Sequence, residues 1–267
     1  MKYSIITPTY KRPDKLIRCV ESILSQKRNM ENGEEVSSFD FELIVVNDSP
    51  VYDYSFFENY LNKIKEENLK LFAKIKYFIN EKNMGVNYSR NYALDYVSKD
   101  VTSDYIIFLD DDDWLSCNAL ETANKVIKNN LNQKWYVSNL AKEDNTSFTK
   151  NKTNKNIINY FYNYLLLKNF SGDVTHTIKS EIATQFRFSN KIKNGEEWTY
   201  FIQIPHNFFY YDNNSKFTNG YSTEGVNISM QKSYGSNTKI LWGEINSFKM
   251  FIMLMLREVK VLVHKFI

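Results

Sequence analysis

Several residue types are scarce in this chain of 267 residues, and each scarcity excludes a class of protein. Two cysteines, Cys19 and Cys117, and no Cys-x-x-Cys pair cannot make the disulfide framework of a small secreted domain. The three histidines, His176, His206 and His264, are far apart, which argues against a Cys/His zinc site. Eight glycines and four prolines are too few for collagen-like or proline-rich linker architectures.

Long apolar runs are also missing. No stretch of about 18 apolar residues occurs, so we expect no ordinary transmembrane helix. The apolar start at residues 1–12 is too short for a secretory signal, so a cytoplasmic location is expected. Apolar residues still make up 43% of the chain and charged residues 24%, which is the composition of a globular protein.

Charge of one sign is concentrated at one end. The formal net charge is +3, and the last 22 residues hold four basic residues and one acid, which accounts for the whole excess. A nucleic-acid-binding protein more usually spreads a basic face over its fold, so we expect no nucleic-acid partner.

Short apolar strands alternate with helical patterns in the first half of the chain. The strands are predicted at residues 3–7, 41–46, 75–79 and 105–109. This alternation predicts an α/β fold with a mostly parallel, Rossmann-like sheet flanked by helices. Ligands of such sheets bind beyond the carboxyl ends of the strands. We expect one crevice lined by the polar residues that follow the strands: Thr7 and Thr9, Asn47 and Asp48, Asn83 and Gly85, and Asp110–Asp113.

The pattern weakens in the second half. Helices are predicted over 120–131 and 157–167, a strand over 174–178, and a further helix beginning at Glu196-Glu197-Trp198. The polar stretch 142–156 is interpreted as a mobile loop. His176 is expected to be structural rather than a ligand.

Four adjacent aspartates, Asp110–Asp113, directly follow an apolar strand. Their charges raise one another's pKa unless a cation or solvent relieves them. One interpretation is a solvated charge run before the next helix; the position at a strand end favours a divalent metal site. All-oxygen ligands suit Mg²⁺ or Mn²⁺. Alternation along an extended segment would point Asp110 and Asp112 the same way.

Four segments, in this order, resemble the family 2 glycosyltransferases of the GT-A fold. They are residues 3–12, 45–49, 83–91 and 108–114. The resemblance implies inverting transfer of a sugar from a nucleotide-diphosphate donor, expected to be a UDP-sugar, with Mn²⁺ or Mg²⁺ as cofactor. The implied acceptor is a glycan or lipid-linked hydroxyl in bacterial capsule or lipooligosaccharide synthesis. The likeness is specific over residues 1–116 and does not cover the tail.

The resemblance also assigns roles to residues that match its motifs. Asp48 would accept a hydrogen bond from the base, and Asn47 stands where the family often has an aspartate. Asp110 and Asp112 form the Asp-x-Asp motif, with Asp112 the direct metal ligand, and Asp113 would point toward the donor sugar. The donor-binding positions are Thr7, Pro8, Tyr10, Arg12, Asp48, Asn83, Gly85, Arg90, Asp110 and Asp111.

A catalytic base is expected in the second half of the chain. A carboxylate can remove the proton of an acceptor hydroxyl as the new bond forms. Gly195-Glu-Glu-Trp resembles the family's Glu-Asp-Trp block, which makes Glu197 the base and lets Glu196 orient it or shape the acceptor pocket. The alternative is that these acids favour a helix N-terminus. In the segment that resembles the family's late loop, Glu224 rather than a histidine precedes Gly225.

Apolar residues repeat at spacings of three and four through the tail, which predicts an amphipathic, basic helix. It could pack on the domain, pair with a second copy as a homodimer, or contact a membrane surface peripherally through residues 245–267. The breadth of the apolar face favours the membrane. The expected organisation is a transferase domain over 1–240, with a nucleotide-binding half (1–116) and an acceptor-binding half (117–240), followed by this helix over 241–267.

Two other functions stay open. A nucleotidyltransferase would normally carry a Gly-rich phosphate loop near the N-terminus, and residues 7–12 contain no glycine. A nucleotide-sugar-binding or cation-binding module without transferase activity is the second alternative.

Overall fold

The computed structural model describes residues 1–26, 29–31, 34–36, 39–141, 146–205, 207–220 and 237–266. The strands are β1 Lys2–Thr9, β2 Asn29–Glu31, β3 Glu34–Val36, β4 Asp40–Asn47, β5 Ile75–Ile79, β6 Tyr105–Phe108, β7 Asp113–Leu115, β8 Trp135–Ala141, β9 Lys150–Asn151, β10 Ile157–Asn159, β11 Phe170–Ser171, β12 Val174–Lys179 and β13 Phe208–Gly220. The helices are α1 Pro13–Leu24, α2 Ser55–Glu67, α3 Leu69–Phe72, α4 Val86–Lys99, α5 Ala119–Asn129, α6 Ser180–Ala183, α7 Trp198–Phe201, a π-helical segment Tyr160–Leu166 and a C-terminal helix Phe248–Phe266. A short helix also spans 237–242.

One sheet runs through both halves of the chain, in the order β10-β13-β8-β12-β6-β1-β4-β5, with β7 paired to β13. β1 pairs in parallel with β4 and β6, and β4 pairs in parallel with β5. Beyond β6 the sheet continues through β12, which is antiparallel to both β6 and β8. The predicted α/β fold is therefore confirmed. β1, β4, β5 and β6 pair only in parallel with one another, and the second half adds one more parallel pair, β8 with β13.

The parallel strands β1, β4 and β6 are buried on both faces over most of their length, whereas the edge strand β5 is only partly buried. Because side chains alternate along a strand, Ile5 packs with α1 and α2 on one face while Ile6 packs with α4 on the other. Helices on both faces fix the strands, so the carboxyl ends of β1, β4 and β6 meet at one edge of the sheet.

Two predictions for the second half are wrong. Residues 157–167 are not one helix: β10 pairs with β13 before the π-helical segment begins. Tertiary pairing of the sheet edge overrides the helical spacing there. The polar stretch 142–156 is not wholly a loop, because β9 pairs with β11, although residues 142–145 lie outside the described residues.

The C-terminal helix begins at Phe248 and packs its inner face on the domain. Met250 and Leu254 are buried against Ile192 and Leu241. Arg257, one of the four basic residues in the last 22 positions, is buried and bound to Glu196. Among the described helices, none combines the length and apolar character needed to cross a bilayer.

His176 is a partly buried packing residue of β12. Its ring lies 3.8 Å from the ring of Phe201, centroid to centroid, and its Nδ1 accepts a hydrogen bond of 3.1 Å from Trp135 Nε1. Desolvation first, and then the nearby charge of Arg90, lower the pKa of His176 to about 3. A proton on Nδ1 would also break the bond from Trp135.

This lowered pKa predicts a loss of stability in acid. Between about pH 6.5 and about pH 3 the unfolded chain binds a proton at His176 that the folded chain excludes, so the free energy of unfolding falls as the pH falls. His176→Asn keeps an acceptor for Trp135 but does not titrate. From pH 7 to pH 5 we expect the wild type to lose up to about 2 kcal/mol relative to this variant in denaturant unfolding. Parallel pH profiles for the two proteins would contradict the assignment.

Candidate active site

The ends of β1 and β6 are joined by a buried carboxylate. Thr9 Oγ1 donates a hydrogen bond of 2.7 Å to Asp111 Oδ2, and Arg12 Nη2 lies 2.6 Å from Asp111 Oδ1. The Asp111 side chain has no exposed surface, and through these two contacts it links the end of β1 to the turn after β6.

The aspartates divide between two arginines. Arg12 also binds Asp112, whereas Asp110 Oδ1 accepts a hydrogen bond of 2.7 Å from Arg90 Nη2. The expectation that Asp110 and Asp112 point the same way is therefore not met in their contacts. The physical reason is local: residues 111–112 form a turn between β6 and β7, and alternation holds only for extended backbone.

Two of the four aspartates at this edge of the sheet, Asp111 and Asp113, have raised pKa values. Burial, followed by the charges of Asp110 and Asp112, raises the pKa of Asp113 well above its usual value. Burial also raises the pKa of Asp111 to about 7, although Arg12 opposes the shift. A cation would relieve these groups, and their oxygens are the donors that Mg²⁺ and Mn²⁺ prefer.

The residues fit a cation that draws part of its coordination from a ligand. Over the part of the chain that the structure describes, no three His, Cys, Asp or Glu side chains are placed to hold a metal by themselves. Mg²⁺ commonly takes one or two carboxylates and completes its shell with phosphate oxygens and water. Asp112 and the half-exposed Asp110 can supply those carboxylates.

Asp48, the residue assigned to base recognition, ties down a loop. Its Oδ1 accepts hydrogen bonds from Met84 N (2.7 Å) and Asn80 Nδ2 (2.8 Å), and its Oδ2 accepts one from Gly85 N (2.7 Å). Asn47 caps the neighbouring turn through Ser49 N. Asp48 is buried, so in this structure it fixes the loop at 83–85.

Of the other donor-binding positions, Thr7 and Pro8 are buried within β1, whereas Tyr10 and Asn83 are exposed. The hydrogen bond from the Asn83 side chain is the first cause of a lowered pKa at Tyr10, which places these two side chains together. Tyr10 and Asn83 are thus two neighbouring exposed side chains at this edge of the sheet.

Arg90 connects Glu197, the candidate catalytic base, to Asp110. The Arg90 side chain is buried, with 8% of its surface exposed; it donates 2.7 Å to Asp110 and, through Nη1, 3.2 Å to Glu197 Oε1. Glu197 is the residue before α7 and keeps 36% of its side-chain surface exposed. One guanidinium therefore joins the Asp-x-Asp motif to the candidate base and leaves both carboxylates open to solvent.

Helix α4 holds the segment that carries Glu197. Asn87 Nδ2 donates to the carbonyls of Ile192 (2.9 Å) and Gly195 (3.1 Å), and Asn91 Nδ2 donates to the carbonyl of Phe188 (2.9 Å). Residue-by-residue reasoning did not single out these two asparagines. Their signal was the spacing within Asn87-Tyr-Ser-Arg-Asn91, which puts both asparagines and the arginine on one face of a helix.

Asp173 is a third residue that was not predicted as a site residue. Its side chain keeps contact with solvent. Desolvation first, and then the charges of Asp110 and Glu197, raise its pKa, which places its carboxyl group within their electrostatic reach. The segment 221–229 with Glu224, expected to form a late loop, lies outside the described residues.

Gly85 is required by close packing between two loops. Its φ is +98°, and a Cβ built there would lie 2.4 Å from the carbonyl oxygen of Lys193. Gly85→Ala should therefore destabilise the fold by about 1–3 kcal/mol, because both the backbone conformation and the contact become strained. Denaturant unfolding measures this loss.

Gly243→Ala is the matched control. A Cβ at Gly243 would come no closer than 3.4 Å to Ile240 O, and its φ lies outside the left-handed region. Equal stability losses for the two variants would contradict the close packing of the 83–85 loop on Lys193.

Comparison with known proteins gives several matches. The family model described as Glycosyl transferase family 2 matches residues 4–234. A Rickettsia bellii protein named an uncharacterized glycosyltransferase is 33% identical over 129 residues, 48% of this chain and 15% of that protein. A Campylobacter jejuni protein named GalNAc(5)-diNAcBac-PP-undecaprenol beta-1,3-glucosyltransferase is 27% identical over 206 residues, 76% of this chain and 59% of that protein. The chain thus spans less than two thirds of the length of these curated relatives.

Solved structures match over most of the chain. A crystal structure of residues 1–349 of S. aureus TarS aligns with a TM-score of 0.66 and 16% identity, covering 97% of this chain and 72% of that one. The same fragment in complex with UDP-GlcNAc aligns with a TM-score of 0.65 and 18% identity, covering 93% and 68%. At these identities the likeness shows the fold, and it confirms the α/β arrangement predicted from the sequence.

Proposed function

Since this chain belongs to glycosyl transferase family 2, as its motifs predicted, we propose that it transfers one sugar, with inversion, from a UDP-sugar to a hydroxyl of a glycan or lipid-linked acceptor. The observation that carries the proposal is the position of Arg90, which contacts both Asp110 and Glu197. A donor-diphosphate site and a base for the acceptor must adjoin for direct displacement, and one buried guanidinium sets that spacing.

In this proposal, residues at the carboxyl ends of the strands bind the donor. A divalent cation held by Asp112 and Asp110 would stabilise the second negative charge that the diphosphate gains as the sugar leaves. Tyr10 and Asn83 face the nucleobase of the donor. Arg12, which binds Asp111 and Asp112, sets the orientation of the metal-binding turn. Asp113, next to these carboxylates, faces the donor sugar in this proposal.

In this proposal, the segment before α7 binds and activates the acceptor. Glu197 takes the proton of the attacking hydroxyl, and its exposed surface leaves room for an acceptor. In this proposal Asp173 accepts a hydrogen bond from a second hydroxyl of the same acceptor; the charge of Glu197 is one cause of the raised pKa of Asp173. The nucleotide-binding half (1–116) and the acceptor-binding half (117–240) divide the work in this way.

The acceptor proposed is a lipid-linked bacterial surface glycan. The Campylobacter jejuni relative is named for an acceptor on undecaprenol. The outer face of the C-terminal helix exposes Phe248, Phe251, Met255, Leu256 and Val259, which suits contact with a membrane surface. Pairing of two copies through this face is the competing outcome, and the mass of the protein in solution separates the two.

A donor screen tests the proposal. Release of UDP, GDP or dTDP from their sugars is measured with and without Mn²⁺, first with water and then with lipid-linked glycans as acceptor. We expect Mn²⁺-dependent release from one UDP-sugar, stimulated by acceptor. Metal-dependent UDP binding with no release from any donor would instead leave a binding module without transferase activity.

A further inference from the structure

The C-terminal helix touches the catalytic segment at one ion pair. Arg257 donates two hydrogen bonds to Glu196, Nη1 to Oε2 and Nη2 to Oε1, both 2.7 Å long. The two residues are 61 positions apart, and both side chains are nearly buried, with 6% and 11% of their surfaces exposed. A paired, planar contact of this kind fixes direction as well as distance.

Glu196 needs such support because its backbone is strained. Its φ is +63°, and the preceding Gly195 has a φ of +77°. A non-glycine residue holds a left-handed conformation only when its surroundings impose it. The Glu196 carboxylate also accepts hydrogen bonds from Trp198 Nε1 (2.6 Å) and Asn237 Nδ2 (3.4 Å), so four donors hold this one side chain.

Apolar packing joins the same two elements. Met250 and Leu254 of the C-terminal helix are buried against Ile192, and Trp198 packs on this cluster. The C-terminal helix therefore contacts the 192–198 segment on both sides of Glu196, at Ile192 and at Trp198. Burial alone would raise the pKa of Glu196, but the hydrogen bond and charge of Arg257 lower it, so the group stays ionised for its partner.

We propose that Arg257 is a positioning residue for the transfer reaction: by clamping Glu196 it holds the next residue, Glu197, against Arg90 and beside Asp110. The inference rests on the function proposed above. It gives the C-terminal helix a part in turnover, since a shift of the clamp moves Glu197 relative to the donor. Arg257 touches neither donor nor acceptor and acts only through this segment.

The test separates turnover from donor binding. In Arg257→Gln we expect kcat to fall by about 10- to 100-fold, because a misplaced base costs rate. The dissociation constant of UDP in the presence of Mn²⁺ should stay within about twofold of the wild-type value, because the donor side of the site is untouched. Arg257→Lys, which restores the charge and one donor, should recover part of kcat.

Two further variants distinguish a loss of positioning from a loss of folding. Glu196→Leu/Arg257→Met removes both charges together and leaves no unpaired buried charge, so it should fold and still show the low kcat. Trp242→Phe is the matched control. It removes the 3.0 Å hydrogen bond from Trp242 Nε1 to Glu258 on the same helix, keeps an aromatic ring packed on the cluster of Met250 and Leu254, and leaves the pair of Arg257 and Glu196 unchanged, so kcat should be unchanged.

Hydrogen exchange measures directly whether residues 195–202 stay ordered when Arg257 is replaced. Backbone amides of residues 195–202 should lose protection in Arg257→Gln and keep it in Trp242→Phe. Unchanged kcat and unchanged protection in folded Arg257 variants would overturn the inference while leaving the proposed function intact. A wild type that neither binds UDP nor uses any UDP-sugar would overturn the proposed function, and the exchange result would still decide whether Arg257 holds the segment.

Discussion

Glu197→Gln should reduce transfer by about 100- to 10,000-fold, the range that a general base contributes. The amide keeps the size of the side chain and an oxygen that accepts the bond from Arg90 Nη1, but it cannot take the proton of the acceptor hydroxyl. The measurement is kcat with the UDP-sugar and acceptor found in the donor screen.

The binding of UDP separates loss of the base from loss of the site. With Mn²⁺ present, UDP should bind Glu197→Gln as it binds the wild type, because the donor contacts proposed here lie on the strand ends. Glu66→Gln, on the exposed face of α2, is the matched control and should keep full activity. Activity of Glu197→Gln within a few fold of wild type would show that another group takes the proton.

Asp112→Asn is expected to lower kcat by about 100-fold or more, because a metal ion supplies several kcal/mol of transition-state stabilisation. An amide oxygen carries no charge and holds Mg²⁺ or Mn²⁺ poorly. The fold should persist, because Arg12 keeps its 2.6 Å contact with Asp111 after Asp112 is neutralised. Steady-state rates at increasing Mn²⁺ measure the effect.

The metal dependence distinguishes this loss from a general one. The rate of Asp112→Asn should rise with Mn²⁺ at concentrations that already saturate the wild type. Asp100→Asn, an exposed residue at the end of α4, serves as control and should match the wild type at every concentration. A variant of Asp112 with wild-type rate and wild-type Mn²⁺ dependence would remove it from the proposed metal site.

The parallel part of the fold was predictable because its signal is local. Residues 43–46 are continuously apolar and are buried on both faces of the sheet, so the pattern and the structure report the same constraint. β10 was not predictable in this way. Its residues carry helical spacing, and only pairing with β13, more than 40 residues later in the chain, makes them a strand.

The site was predictable by position and less so by role. Strand ends had to converge, so Asp48 and Asp110 were found, but nothing in the sequence shows that Asp48 is already bound to the backbone of Met84 and Gly85. Arg257 carried the opposite signal, since a basic residue on an amphipathic helix predicts a surface position. Its partner lies in a distant segment, and a single sequence does not reveal such pairs.

The proposed function depends on a cation that the carboxylates at this edge of the sheet bind and that in turn binds the diphosphate of the donor. Isothermal titration of the wild-type chain with UDP, with and without Mn²⁺, tests it most directly. We expect Mn²⁺ to strengthen UDP binding at least tenfold, with one UDP bound per chain. UDP binding of equal strength without the metal, or no binding in either buffer, would contradict it.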